Sequence, residues 1–230
     1  MHKLIYNKAN RIIVHSEEMR KSLISMGIDA SKITVIPHGA KIPHLLFKKR
    51  NKITFLGAPV EDKGAFVLFE ALKILKEKGE KIRVHFYGIY SELEKESADV
   101  RAKELGVRDC VFWGGRLSED EFDRKLQESM LTFAVYTKPV SGSSILTRAM
   151  ANATPVIGTN IGGMPEYSKN FSILIPPNDP KALADAISKL MKDPDLRKEL
   201  GNVARKHALE VSWDVIARRN LSVYLDVLKH

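Results

Sequence analysis

Strand-like and helix-like segments alternate along most of this chain, and the alternation restricts the folds that it can adopt. Six short apolar runs have the composition of buried strands, and they begin at Ile53, Ile82, Cys110, Thr132, Pro155 and Phe171. Segments with apolar residues at helical spacing separate most of these runs. The pattern predicts an α/β fold with a Rossmann-like, doubly wound parallel sheet between Ile53 and about Leu190.

The chain divides into four parts by the same criteria. Residues 1–40 carry only one strand–helix–strand pattern, which is too little for an independent core, and we interpret them as the remnant of another domain. Residues 41–52 are basic and lack periodicity, as is typical of a linker. Residues 53–210 form the predicted sheet domain, and residues 211–230 form a terminal helix with an apolar stripe.

Charge and cysteine content narrow the classes of partner and compartment. Lys and Arg (37) outnumber Asp and Glu (28), and the net charge of +9 favours anionic ligands. The charge is scattered and no nucleic-acid-binding motif is present, so we expect no nucleic-acid partner. The single cysteine, Cys110, cannot form an internal disulfide. No apolar run reaches the roughly 18 residues of a membrane span, and the start of the sequence lacks the pattern of a signal peptide. These features predict a cytoplasmic protein, with peripheral contact to the inner membrane face left open.

Two loops follow strand-like runs where doubly wound sheets bind their ligands. The first, Ser141–Ser144, consists of small residues that let backbone N–H groups approach an anion ahead of a helix. Ser143 or Ser144 can equally serve as the N-cap of that helix, and both interpretations stay open. The second loop, around Gly162 and Gly163, is either a ligand loop or a tight turn.

Lys63 lies in a third loop, between a strand-like run and a helix-like segment, beside Gly64. From this position an ammonium group can reach a diphosphate at the carboxyl edge of the sheet. A lysine at a helix start opposes the helix dipole, which favours a functional role over a purely structural one.

Five blocks of sequence occur in the order known from one enzyme family. They are ANRIIVHSEEMRKSLISMGI with SKITVIPHGA, ITFLGAPVEDKG, CVFWGGRLSEDEF, PVIGTNIGGMPEY and ILIPPNDPKALADAI. Together they resemble the carboxyl-terminal, nucleotide-sugar-binding domain of the retaining glycosyltransferases of family four, which have the two-domain GT-B fold. The resemblance implies a nucleoside diphosphate sugar as donor, an amino-terminal half that completes the site, and a last helix that crosses back toward that half. It also implies a role in glycan biosynthesis, with no metal and no other cofactor.

The resemblance assigns roles to individual positions. Lys63 matches the family's diphosphate-binding lysine, Ser143 and Ser144 fall where backbone N–H groups meet the phosphates, and Gly115 and Arg116 fall beside the nucleobase. The complete donor-binding set that we predict is Gly57, Lys63, Gly88, Gly115, Arg116, Ser143, Ser144, Arg148, Gly162 and Gly163. It identifies no catalytic residue.

The chain departs from the family pattern at three charged positions. Ala58 follows Gly57 where the family usually has an arginine, and Val140 and Arg148 stand where it has a pair of glutamates. Losing one charge-assisted hydrogen bond typically removes ~1.5–3 kcal/mol, so these changes weaken donor binding unless the site is rebuilt. A guanidinium at position 148 is one way to rebuild it, because it can bind phosphate from a different direction.

Two hypotheses follow. In the first, the chain is the donor-binding half of a glycosyltransferase that needs a missing or separately encoded amino-terminal half. In the second, it is a non-catalytic, glycosyltransferase-like binding module. Lys63 and the GGMPEY block favour the first, and the replacements at Val140 and Arg148 favour the second. An unrelated nucleotide-binding α/β protein is the third possibility, which a structure without a GT-B core would support.

Overall fold

The computed structural model describes residues 2–45, 50–140, 142–168 and 170–229. Within these ranges the chain forms a large α/β body around a six-stranded sheet and a small unit around a two-stranded sheet. Residues 46–49 of the predicted linker and Ser141 of the predicted anion loop lie outside the described residues. The last residue of the predicted linker, Lys52, is the first residue of a strand, where it pairs with Ser129.

The small unit contains the elements nearest the start of the chain. They are helix α1 (His2–Lys8), strand β1 (Ile12–Val14), helix α2 (Glu17–Ser25) and strand β2 (Ile33–Val35). The two strands are parallel and do not join the large sheet. Ser16 caps α2 through its side chain, which accepts a hydrogen bond from the N–H of Met19 at 3.1 Å. The unit's apolar cluster has three buried residues, Val14, Ile28 and Ile33, so most of its stability must come from contacts with its surroundings.

The large sheet has six parallel strands. They are β3 (Lys52–Leu56), β4 (Val84–Tyr87), β5 (Val111–Gly115), β6 (Ser129–Ala134), β7 (Val156–Thr159) and β8 (Ser172–Ile175). Their spatial order is β5-β4-β3-β6-β7-β8, with the direction of winding reversed between β3 and β6. This order confirms the predicted Rossmann-like, doubly wound fold. It also places a ligand crevice at the carboxyl ends of β3 and β6.

Helices cover both faces of this sheet. They are α3 (Ala65–Glu77), α4 (Glu92–Glu104), α5 (Glu119–Glu128), α6 (Ser144–Ala151), α7 (Met164–Ser168), α8 (Pro180–Lys192), α9 (Pro194–Glu210) and α10 (Trp213–Leu228). Neighbouring strand residues point to opposite faces, so Phe55 and Phe86 join the core under α3, α4 and α8. Leu56 and Tyr87 join a second core under α5, α6 and α9.

Strand β5 includes two glycines. The strand formed by the apolar run that begins at Cys110 extends through Gly114 and Gly115, where Gly115 pairs with Tyr87. A Cβ on Gly114 would lie 2.0 Å from Cε1 of Tyr87. The glycine therefore makes room for an aromatic ring on the neighbouring strand and does not terminate the sheet.

The last helix, α10, lies beside the small unit. Ala40 donates its N–H to the carbonyl of Val211 at 2.9 Å, and its own carbonyl accepts the N–H of Trp213 at 3.1 Å. Tyr224 and Leu228 of α10 line a groove together with residues 8–11. Ile216 is the one buried side chain among the described residues of α10, and five large apolar side chains of the helix are exposed: Trp213, Leu221, Tyr224, Leu225 and Leu228. No helix in the described ranges is long and apolar enough to cross a membrane.

Candidate functional site

A cavity of about 280 Å³ opens where the sheet reverses its winding. Its lining comes from the carboxyl ends of β3, β4 and β6 and from the starts of α5 and α6. The lining residues are Phe55, Leu56, Gly57, Lys63, Gly88, Ile89, Leu117, Glu119, Phe122, Phe133, Ala134, Val135, Tyr136, Ser144, Ile145 and Arg148. The structure thus brings five of the predicted site residues to one cavity: Gly57, Lys63, Gly88, Ser144 and Arg148.

The backbones of two glycines meet at the strand ends beside the cavity. Gly57 has φ +147° and Gly88 has φ +157°, and a Cβ on Gly88 would lie 2.8 Å from the carbonyl oxygen of Gly57. Side chains at these positions would separate the strand ends or occupy the cavity. The two glycines therefore leave a backbone surface for a ligand.

Lys63 ends a 3-10 turn that leads into α3. The next residue, Gly64, has φ +75°, and a Cβ there would lie 2.3 Å from the carbonyl oxygen of Val135. This close packing fixes the turn against β6. The ammonium group lies 5.1 Å from the ring centroid of Tyr136, a cation–π distance. Lys63 is exposed and has no hydrogen-bond or ion-pair partner among the described residues, so its charge is available to a ligand.

The predicted anion loop leads into α6, and its serines have different roles. Ser143 is buried and is the N-cap, accepting a hydrogen bond from the N–H of Leu146 at 3.2 Å, and it also hydrogen-bonds the Tyr136 hydroxyl at 2.8 Å. Burial raises the pKa of Tyr136, which keeps that hydroxyl neutral. Ser144 is exposed and lines the cavity. The ordinary capping role therefore applies to the Ser143 side chain, while the backbone at the start of α6 faces the same region as Lys63.

Arg148 lines the cavity, and its guanidinium contacts α5. Its Nη2 and Nε lie 3.0 and 3.4 Å from Oδ1 of Asp123, and its Nη1 lies 2.9 Å from Oε2 of Glu119. Nη2 also donates to the Glu119 carbonyl at 3.0 Å. The guanidinium carbon lies 3.9 Å from the ring centroid of Phe122. The guanidinium therefore joins α6 to α5, and most of its donors already have protein acceptors.

A buried polar network supports this arginine. Asp123 is only 9% exposed and also accepts a hydrogen bond from Nδ2 of Asn152 at 3.0 Å. Gln127 donates to the side-chain oxygen of Asn152 at 2.9 Å. These residues could not be identified from the sequence, because polar groups on a helix-like segment look like its solvated face.

The other predicted residues lie around the cavity but do not line it. Gly115 has φ +74° and donates its N–H to the hydroxyl of Tyr90 at 3.2 Å, and Arg116 is exposed. Gly162 and Gly163 form a turn against the first loop. A Cβ on Gly162 would lie 2.7 Å from the carbonyl oxygen of Val140, which accepts the N–H of Gly163 at 3.0 Å. The glycine pair thus has the structural role of a tight turn that holds the first loop in place.

Contacts with the small unit border the same loops. The ring of His38 lies 4.0 Å from that of His15, and a Cβ on Gly142 would lie 2.5 Å from Cδ2 of His38. Burial, and secondarily the charge of His15, lowers the pKa of His38. Both carboxylate oxygens of Glu166 accept the N–H of Glu17, at 3.0 and 2.8 Å, at the start of α2. No signal in the sequence could have paired these positions, which lie far apart in the chain.

Tyr167, next to Glu166, adds another contact between the two parts. Its hydroxyl donates to the carbonyl of His15. Burial raises the pKa of Tyr167 to about 12, so the hydroxyl keeps its proton.

No group of three or more His, Cys, Asp or Glu side chains in the described part of the chain could hold a metal ion.

Comparison with known proteins shows the family to which the chain belongs. The family model described as glycosyl transferases group 1 matches residues 40–207, and the chain belongs to this family. A model described as glycosyltransferase family 4 matches residues 1–42. A D-inositol 3-phosphate glycosyltransferase of Corynebacterium jeikeium is 29% identical, over 96% of this chain and 58% of its own length. The chain therefore spans little more than half of this relative.

Solved structures show the same fold. A glycosyltransferase from Rickettsia africae superposes with a TM-score of 0.86 and 23% identity, over 99% of this chain and 67% of its own. The HepE protein of Anabaena, solved in complex with UDP, superposes with a TM-score of 0.83 and 18% identity, over 95% of this chain and 64% of its own. The chain has the fold of a GT-B glycosyltransferase.

Proposed function

We propose that this chain is the donor-binding domain of a retaining, family-four type glycosyltransferase, which transfers a sugar from a nucleoside diphosphate sugar to an acceptor. Lys63 carries the proposal. Its ammonium lines the cavity at the switch point of the sheet and has no acceptor among the described residues. The positive end of α6 lies near it, since Tyr136 touches both Lys63 and the N-cap Ser143.

The chemistry assigned to this domain is electrostatic. When the sugar leaves, negative charge grows on the diphosphate, and Lys63 and the backbone donors of α6 stabilise it. Gly57 and Gly88 let the ligand lie directly on the backbone at the strand ends. We assign no metal ion and no other cofactor to the reaction.

The acceptor site requires a second domain in this proposal. The inositol-phosphate relative is longer, and this chain covers 58% of it. We propose that an amino-terminal half, on the same or a separate polypeptide, binds the acceptor and packs on the exposed apolar side chains of α10. The UDP bound in the Anabaena structure supports a nucleotide donor for this chain.

The second candidate is a binding module without catalysis, and two positions favour it. The guanidinium of Arg148 forms ion pairs with two carboxylates of α5, and Val140 has no polar side chain. In this hypothesis a nucleotide or glycan binds without being turned over. Nucleotide binding without sugar transfer in the presence of the amino-terminal half would favour the module.

Calorimetric titration with UDP, GDP and ADP tests donor binding. We expect at least one of them to bind, and Lys63→Ala to lower its affinity roughly 10- to 100-fold, the effect of one lost charged hydrogen bond. Lys73→Ala is the matched control, because it removes one exposed lysine charge from α3 outside the cavity. No heat with any nucleotide at millimolar concentration would refute the donor-binding function.

A further inference from the structure

A second cavity of about 280 Å³ lies at the edge of the sheet opposite Lys63. It is formed by residues that precede strands β3 and β7 and by residues of α9. The lining residues are Arg50, Ala153, Pro155, Pro194, Arg197, Lys198, Gly201 and Asn202. Parallel strands all begin at the same edge, so about the length of β3, roughly 17 Å for five residues, separates this cavity from the donor cavity. The two cavities share no lining residue.

The charged residues of this second lining are all cationic. Arg50, Arg197 and Lys198 contribute positive charges, and no Asp or Glu is among the lining residues. None of the three cations has an ion-pair partner among the described residues. The residues outside the described ranges contain no Asp or Glu. Like charges that converge on one small cavity repel each other, so an anion in the cavity stabilises them.

The guanidinium of Arg50 is fixed at this cavity by neutral acceptors. Its Nη1 donates to the carbonyl of Ser129 at 3.0 Å and to Oγ1 of Thr154 at 3.2 Å. Its Nη2 donates to the carbonyl of Asn152 at 3.0 Å. These three bonds use three of the five N–H donors of a guanidinium, and two remain. Burial lowers the pKa of Arg50, and no carboxylate among its neighbours offsets this effect.

The second guanidinium is held in a similar way. Nη1 of Arg197 donates to the carbonyl of Leu190 and, at 3.0 Å, to the carbonyl of Met191, at the end of α8. These bonds leave its Nε and Nη2 unused. Lys198, the next residue, is exposed and carries its charge on a flexible side chain. Two oriented guanidinium forks and one ammonium are the donor set that suits the oxygen atoms of a phosphate group.

We propose that this cavity is a second ligand site, which binds a phosphate group, either as inorganic phosphate or as part of a small phosphate ester. A phosphate group carries about two negative charges near pH 7 and three acceptor oxygens, which match the cations and their remaining donors. The volume limits the occupant to a phosphate with a small organic group. The site is separate from the proposed donor site, so it goes beyond the proposed function.

Calorimetric titration with inorganic phosphate, at an ionic strength held constant with chloride, tests this site. The protein is Lys63→Ala, so that the donor cavity lacks its cation, and we expect phosphate to bind. Adding Arg50→Lys should lower the affinity about tenfold or more, because a point charge replaces an oriented fork and a charged hydrogen bond is lost. Adding Lys198→Glu should lower it about fivefold or more. Lys206→Glu is the matched control, an exposed lysine of α9 outside the cavity, and should change it less than about twofold.

A second titration with glycerol 3-phosphate distinguishes the two sources of the phosphate group. Affinity for the ester equal to or above that for inorganic phosphate identifies small phosphate esters as occupants. Lower affinity for the ester identifies the free ion. The same Arg50→Lys and Lys198→Glu substitutions should weaken whichever compound binds more tightly.

Two results overturn the second site. One is the absence of binding of both compounds to Lys63→Ala at millimolar concentration, and the other is binding that Arg50→Lys and Lys198→Glu leave unchanged. Neither result affects nucleotide binding at Lys63, which the wild-type titrations with nucleoside diphosphates test separately. A thermal melt verifies folding of each variant, and Lys198→Glu, at an exposed position, decides the question if Arg50→Lys unfolds.

Discussion

The two cations of the cavity differ in their protein contacts. The ammonium of Lys63 contacts one aromatic ring and has no acceptor among the described residues. The guanidinium of Arg148 contacts the side chains of Asp123, Glu119 and Phe122. A charge without a partner at a cavity is available to a ligand, whereas one surrounded by acceptors contributes to folding and orientation. Two basic residues in one cavity can therefore have opposite roles.

Reversing the charge at Arg148 should cause the largest change in the free energy of unfolding. Arg148→Glu places a carboxylate against Asp123, which is 9% exposed and loses its cationic partner. We expect the free energy of unfolding to fall by about 3 kcal/mol or more, as when a buried pair is broken. Urea denaturation measures the change. Arg116→Glu, at an exposed position, should change the free energy of unfolding by no more than about 0.5 kcal/mol. Equal stability of the two variants would contradict the structural role of Arg148.

A second experiment addresses the turn that carries Lys63. Gly64→Ala introduces a Cβ 2.3 Å from the carbonyl oxygen of Val135, at φ +75°. Gly79→Ala is the matched control, because Gly79 has φ +78° and nothing lies within 4 Å of its Cβ position. We expect about 1–2 kcal/mol of destabilisation from the backbone conformation in both variants, and a further loss in Gly64→Ala from the clash. Equal unfolding free energies would show that the turn is not packed against β6.

Removal of the Lys63 ammonium should have little effect on folding. Lys63→Ala is expected to change the free energy of unfolding by no more than about 0.5 kcal/mol, because the side chain is exposed and has no hydrogen-bond or ion-pair partner in the part of the chain that the structure describes. The loss in nucleotide affinity described above should accompany this unchanged stability. A Lys63→Ala variant as unstable as Arg148→Glu would abolish the distinction between the two cations.

The smallest expected effect is a pH dependence beside the Gly142 loop. Burial lowers the pKa of His38 in the folded state, so the unfolded state binds more protons as the pH falls below the ordinary value of 6.5. The contribution of His38 to stability should therefore be constant above this pH and decrease as the pH falls through 6.5 toward the lower folded pKa. His85 shifts in the same direction for the same first cause. We expect His38→Asn to reduce the slope of unfolding free energy against pH, and His38→Asn with His85→Asn to reduce it further. An unchanged slope in both variants would contradict the prediction.

The main fold could be predicted because its signals are local. Apolar runs such as that at Ile53 alternate with helical patterns, and capping residues such as Ser118 mark helix starts. Lys63 could be singled out because a lysine in that loop opposes the helix dipole. The order of the strands then brought its loop to the same edge of the sheet as α6.

The polar contacts of the site could not be predicted, because they join distant segments. Arg148 meets Asp123 only after α5 and α6 pack together, and nothing in either helix pattern specifies that pair. Glu166 reaches Glu17 over a separation of 149 residues. Gly115 was placed beside the nucleobase by resemblance, whereas the structure places it outside the lining of the cavity.

The hydrogen-bonded crossing at Ala40 has a consequence for how the small unit is attached. The chain leaves the small unit through residues 36–40 and returns toward it through residues 211–213. The backbones of these two segments are hydrogen-bonded to each other at Ala40. The indole of Trp213 also fills the space beside Gly39, where a Cβ would lie 2.4 Å from its Cε3. The attachment is therefore redundant: after a cut within residues 36–40 the small unit is still held by its contacts with α10, and after a cut within residues 211–213 it is still joined covalently through residues 36–40. A single nick should yield two fragments on a denaturing gel that still migrate as one particle under native conditions.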